Sequence, residues 1–133
     1  MSSKDTAKKA QLGELEAEVM NIVWRQGETT VQAVKEALET TRPLAYTTVM
    51  TVMSRLADKG FLKRRKEGRA YLYMAASSQE NLAGSMLRSL VQRLYDGAAS
   101  QAIAHLLDST EELDDDQLQE LEELIRQKRK QSK

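Results

Sequence analysis

Five residues in the run YTTVMTVMSRLADKG, Tyr46 to Gly60, carry side chains suited to reading the edges of nucleic-acid bases: Tyr46, Thr47, Thr48, Met50 and Thr51. Threonine is short, so a helix bearing it can come close to a groove floor. Its hydroxyl can donate or accept a hydrogen bond, and its methyl can touch the methyl of thymine. A purely structural helix surface seldom uses such residues, because each threonine costs a few tenths of a kcal/mol in propensity relative to alanine or lysine.

Around this run the available chemistry shifts from base edges to phosphates. Between Arg42 and Arg69 stand eight cations, Arg42, Arg55, Lys59, Lys63, Arg64, Arg65, Lys66 and Arg69, against only Asp58 and Glu67. That local excess sits in a chain with a formal net charge of zero. The excess is regional: residues 1–80 carry 13 Lys and Arg against 10 Asp and Glu, and residues 81–133 carry 7 against 10. A basic cluster beside an uncharged hydroxyl face fits a protein that grips the backbone of a duplex and reads bases next to it.

Catalysis has no comparable basis. The chain contains no cysteine, which excludes disulfides, thiolate zinc or copper sites, iron–sulfur clusters and cysteine nucleophiles together. The single histidine, His105, cannot assemble a metal site alone and reads as an ordinary packed or half-exposed side chain. With no nucleophile–base arrangement and no phosphate-cradling glycine loop, no enzyme, cofactor or metal is expected.

The elements that must hold these side chains follow from periodicity. Leu12, Leu15, Val19, Ile22 and Val23 predict a first helix from about Leu12 to Gln26, stopped by Gly27. Thr29 and Thr30 are β-favouring and precede a second helix with Val31, Val34 and Leu38 inward, ending near Thr40–Thr41 before Pro43. Val49, Val52, Met53 and Leu56 give a third helix from about Tyr46 to Lys59. With those four facing a core, Thr47, Thr48, Thr51, Ser54 and Arg55 lie on the opposite side, with Tyr46 and Met50 along its edges.

From Phe61 the period changes, and FLKRRKEGRAYLYMA reads as a β-hairpin around Glu67–Gly68, with Tyr71 and Tyr73 on one face and Leu72 and Met74 on the other. Three helices then a basic hairpin is the order of a winged helix-turn-helix. The hairpin is the wing.

Past the SSQE stretch at Ser77–Glu80 the chain turns helical again. Leu82, Met86, Leu90 and Leu94 form one stripe, widened by Leu87 and Val91, a short Ala-rich helix follows near Ser100–Leu107, and Leu118, Leu121, Leu124 and Ile125 form a last seam. Some fifty residues bury too little surface to be stable alone, so a partner chain is the simplest cover. The expected fold class is mainly α with a small β-hairpin: a winged-helix DNA-binding domain at 1–78 and a three-helix dimerisation domain at 79–133. No run of eighteen apolar residues and no apolar leader is present, so a cytoplasmic protein without membrane insertion is expected.

The residues LGELEAEVMNIVW, from Leu12 to Trp24, and YTTVMTVMSRLADKGFLKRRKEGRAYLY, from Tyr46 to Tyr73, resemble the penicillinase-repressor family of bacterial transcription regulators, the family of the BlaI, MecI and CopY repressors. The resemblance implies a winged-helix N-terminal half, a helical C-terminal half that forms a homodimer, and repression through palindromic double-stranded operator DNA. In many members a membrane-bound sensor protease, or a protease it activates, relieves repression by cutting in the dimerisation region. The matching place in this chain is His105–Leu106, where the cleaved members often present an Asn–Phe bond; the cysteine pairs of the copper-responsive branch are missing.

Two functional readings follow. One is an operator-binding repressor with Tyr46, Thr47, Thr48, Met50 and Thr51 on bases and the cations on phosphates. The other is a winged-helix adaptor that binds another protein and shows no salt-sensitive binding to duplex DNA.

Overall fold

The computed structural model describes residues 12–132. The described residues divide into two compact units, one up to Leu87 and one from Arg88 on. In chain order the elements are α1 (Glu14–Gln26), α2 (Val31–Leu38), α3 (Tyr46–Asp58), β1 (Leu62–Glu67), β2 (Ala70–Ala75), α4 (Gln79–Leu94), α5 (Ala99–Ser109) and α6 (Asp115–Gln131).

The first unit is a winged helix. Helix α1 begins after Gly13, whose amide donates to Glu16 Oε1 at 3.0 Å. This is half of a capping box, since glycine has no side chain with which to complete it. At the other end the Gly27 amide donates to the Val23 carbonyl, 2.8 Å away. Thr30 caps α2, accepting from the Ala33 amide at 3.1 Å. That helix stops at Leu38 rather than running to Thr40–Thr41, because the amides of Glu39 and Thr41 bond only three residues back, to the Glu36 and Leu38 carbonyls, and tighten the end into turns.

The core collects the inward stripes of all three helices: Val19, Met20, Ile22 and Val23 from α1; Val31, Val34 and Leu38 from α2; Val49, Met53 and Leu56 from α3. Phe61, Leu62 and Tyr73 close it from the hairpin side. Val52 is only partly buried and packs against this cluster. Burying side chains of this size contributes about 1.5–3 kcal/mol each relative to exposure. Hydrophobic burial, rather than helix propensity, therefore fixes the rotation of α3 about its axis.

In the wing β1 and β2 pair antiparallel from Leu62 opposite Ala75 to Glu67 opposite Ala70. The turn is therefore Gly68–Arg69, with Gly68 at φ 62°, the positive value that glycine adopts without strain. Thr29 forms an isolated bridge to Tyr73, with mutual amide–carbonyl bonds of 2.9 and 2.8 Å. It adds one residue of sheet on the other edge of β2. Tyr71 and Tyr73 share a face as expected, but they part in burial: Tyr73 is 1% exposed and Tyr71 42%. The hairpin leaves the core between them.

The start of α4 is fastened to α1 within the first unit, where the Gln79 side-chain amide also donates to Asn21 Oδ1 at 3.5 Å. The Trp24 indole N–H donates to the Ser77 carbonyl at 2.9 Å, and Leu82 packs against the core. Leu82 therefore spends much of its apolar surface inside its own chain, although the sequence places it on the interface stripe.

The second unit is well capped but poorly filled. Asp114 Oδ1 accepts from the Gln117 amide at 2.8 Å while the Asp114 amide donates to Gln117 Oε1 at 3.1 Å. This reciprocal box starts α6, which Lys128, Arg129 and Lys130 close in favour of the helix dipole. Across the turn joining α4 and α5, where Asp96 takes φ 50°, the Tyr95 hydroxyl pairs with His105 Nδ1 at 2.8 Å. Among the described residues of this unit only Ala102 is a buried hydrophobic residue. Leu90, Leu94, Ile103, Leu106, Leu107, Leu118, Leu121, Leu124 and Ile125 are exposed.

Candidate nucleic-acid interface

With Val49, Met53 and Leu56 fully buried, the opposite side of α3 must look outward. Thr47, Thr48 and Thr51 are exposed, and Tyr46 and Met50 flank them at 45% and 40% exposure. The hydroxyls of Thr47 and Thr48 make no hydrogen bond among the described residues. The N-cap of α3 is Ala45, with no side-chain cap bond, so these threonines do not serve to close the helix start. Thr51 differs: its hydroxyl donates to the Thr47 carbonyl at 2.9 Å. Its proton is used within the helix, which leaves Thr51 an acceptor and a methyl to offer a partner.

The wing presents its cations on two faces, because successive side chains of a strand point to opposite sides. Arg64, opposite Tyr73, lies over the Tyr71 ring, 4.9 Å from its centroid. Its guanidinium approaches Ser54 Oγ at 3.4 Å and the Tyr73 hydroxyl at 3.5 Å. Arg64 thereby sits at the seam between α3 and the wing, stacked on an aromatic face and tied to the helix that carries the threonines. The hydrogen bond to Tyr73 is the main cause of an Arg64 pKa raised above the ordinary guanidinium value.

Arg65 takes the other face and bonds to Glu28 and, at 3.3 Å, to Glu67. The hydrogen bond with Glu28, followed by that carboxylate's charge, raises the Arg65 pKa.

The eight cations of the sequence cluster thus separate into two groups. Arg42 pairs with Glu18 at 3.1 Å and Glu14 at 3.4 Å, and Lys59 pairs with Glu16 at 2.7 Å. Together with Arg65, these side chains hold segments of the first unit to one another. Arg55, Lys63, Arg64, Lys66 and Arg69 have no carboxylate within ion-pair distance among the described residues. Nothing in residue type alone distinguishes the two groups, because the partner carboxylates lie 24 or more positions away in the chain for Arg42, Lys59 and the Glu28 bond of Arg65.

Glu16 marks the structural group. Burial acts to raise its pKa, but the Gly13 amide, the Lys59 hydrogen bond and charge and the Arg55 charge more than offset this, leaving the pKa lowered. A carboxyl with a lowered folded pKa contributes stability that is present above its unfolded pKa and lost as pH falls through the folded value. Glu16→Gln is therefore expected to flatten the acid-side decline of the thermal midpoint while lowering that midpoint near neutral pH. Thermal unfolding followed from about pH 3 to about pH 7, a span that brackets carboxylate titration, tests this. Equal acid slopes for both proteins would contradict it.

His105 and Leu106 lie inside α5, both exposed. A protease needs an extended strand, so cutting at this bond requires α5 to open first.

The family model described as Penicillinase repressor matches residues 12–127. The transcriptional regulator BlaI of Mycobacterium tuberculosis is 40% identical over 104 residues, covering 77% of this chain and 75% of that protein. The penicillinase repressor of Bacillus licheniformis is 25% identical over 123 residues, covering 92% and 95%. A crystal structure of a MarR variant from E. coli complexed with operator DNA is 16% identical, covers 91% of this chain and 78% of that one, and superposes with a TM-score of 0.51. At that identity the likeness bears on the fold alone.

Proposed function

The chain belongs to the penicillinase repressor family, and from that premise we propose that it is a homodimeric transcriptional repressor of palindromic operator DNA. Residues up to about 78 read the DNA and residues 79–133 join two copies. Helix α3 enters the major groove, with Tyr46, Thr47, Thr48, Met50 and Thr51 toward base edges. Arg55, Lys63, Arg64, Lys66 and Arg69 meet phosphates.

The observation that carries this reading is the pairing of an outward hydroxyl face, free of carboxylates until Asp58, with the wing cations Lys63, Arg64, Lys66 and Arg69, which have no carboxylate within ion-pair distance among the described residues. Such an arrangement complements a phosphate-rich ligand. The exposed apolar seams of the second unit support the dimer: a unit this short, with one buried hydrophobic side chain among its described residues, needs a second copy to exclude water. Two-fold symmetry then sets the two α3 helices in major grooves about one helical turn apart, or slightly more. Family likeness extends to induction by cleavage only in part, because this chain carries His105–Leu106 where the cleaved members often present Asn–Phe, and cutting there requires α5 to open first.

Titration of the protein's own promoter region and of a random duplex, each at several salt concentrations, tests the proposal. Thr48→Ala or Thr51→Ala is expected to narrow the gap between the two duplexes by about 1 kcal/mol, the size of one lost base contact. Arg64→Gln is expected to weaken both equally and to flatten the salt dependence. Equal losses on all sequences from the threonine changes would count against base reading. Absence of salt-sensitive binding in the unaltered protein would favour the adaptor reading.

A further inference from the structure

The ion pair between Glu28 and Arg65 has a geometry that local surface charge does not require. The two residues lie 37 positions apart. Arg65 stands on β1 opposite Leu72, and Glu28 precedes Thr29, which bridges the far edge of β2. The Arg65 side chain therefore reaches across β2, over the face opposite Tyr71 and Tyr73, to a carboxylate supplied by the loop between α1 and α2.

Three of its features bear on DNA binding. Both side chains are about half exposed, Arg65 at 53% and Glu28 at 47%, so the pair is held in high dielectric and is readily exchanged. The guanidinium fork suits two carboxylate or phosphate oxygens equally well. Lys63, Lys66 and Arg69, the neighbouring wing cations, have no carboxylate within ion-pair distance among the described residues, so Arg65 alone among the wing's cations is neutralised from another segment.

We infer that Glu28 is an internal competitor for DNA: beside Glu67 of the same strand, which pairs with Arg65 at 3.3 Å, it occupies Arg65 in the free protein and must give it up when the wing meets a phosphate. The inference rests on the proposal that the wing grips the DNA backbone. A phosphate contact carries no sequence information, so the competitor lowers affinity for every duplex alike. Its effect is to hold down non-specific retention by the wing while leaving the operator preference of α3 untouched.

The experiment is a double-mutant cycle, with Glu28→Gln, Arg65→Gln and the combination measured on the promoter duplex and a random duplex over a salt series. Glu28→Gln keeps the size of the side chain, and a thermal melt of each variant confirms folding. The expected result is a gain of roughly 3- to 10-fold for Glu28→Gln on both duplexes, with a salt slope steeper by up to about one phosphate's worth, ~0.9 on a log–log plot. In the Arg65→Gln background that gain should vanish.

A gain of equal size in both backgrounds would show Glu28 to be a repelling charge without a claim on Arg65 and would overturn the inference. So would no change or a loss of affinity in Glu28→Gln, which would mean that the pair braces the wing and persists on DNA. Failure of the underlying proposal looks different: the unaltered protein would then show no salt-sensitive duplex binding at all.

Discussion

Thr48→Glu is expected to reduce duplex binding by at least 100-fold, on operator and random DNA alike, while leaving the fold intact. The substitution removes a side chain proposed to touch a base, worth about 1–3 kcal/mol. It also sets a carboxylate against the phosphates and base acceptors of the groove, where like charges cost several kcal/mol. Stability should move the other way. Thr48 is the third residue of α3, exposed and without a cap bond, and a negative charge in the first turn favours the helix dipole by about 0.3–1 kcal/mol. A binding titration paired with a thermal melt separates the two effects. Undiminished binding with an unchanged melt would mean that this face does not enter the groove.

The second large effect is on assembly. A variant carrying both Leu90→Asp and Leu124→Asp is expected to be monomeric at concentrations where, on the proposal, the unaltered protein forms a dimer. Both leucines are exposed in the single chain, at 41% and 59%, so the aspartates are tolerated in the monomer. In a dimer each would be buried without a partner charge, costing about 3–5 kcal/mol. Analytical ultracentrifugation reads the change. Operator affinity should fall by about 100-fold or more, because two linked half-site contacts become two independent ones. Weak, salt-sensitive binding by the separate winged helices should persist. A variant that remains dimeric would place the interface on other surfaces of the second unit.

Much of this arrangement was legible in the order of residue types. Steps of three and four among Val49, Met53 and Leu56 were sufficient to orient α3, since a helix with one apolar stripe has only one way to bury it. The outward threonines followed from that geometry. The wing was legible from the change of period and a turn glycine, although its turn is Gly68–Arg69 and its two tyrosines differ in burial. Helix ends shifted where backbone bonding decides them, as at Leu38, beyond which the amides of Glu39 and Thr41 bond only three residues back.

What the sequence could not disclose was the pairing of charges. Arg42, Lys59 and Arg65 are of the same residue types as their neighbours Arg55, Lys63 and Arg64. Tertiary approach of Glu14, Glu16, Glu18 and Glu28 sets the first three apart. Leu82 is a similar case: its place in the stripe is periodic, but its attachment to the first unit's core depends on where Trp24 anchors the chain at Ser77.

The claim on which the rest stands is that the hydroxyl side of α3 lies in the major groove. Methylation protection by dimethyl sulfate on the promoter duplex distinguishes the grooves chemically, since guanine N7 opens to the major groove and adenine N3 to the minor. We expect guanine N7 to be shielded in two patches about 10 base pairs or slightly more apart, related by two-fold symmetry, with the shielding lost in Thr48→Glu. Tight binding that leaves every guanine N7 in the site reactive would show that α3 stays outside the groove.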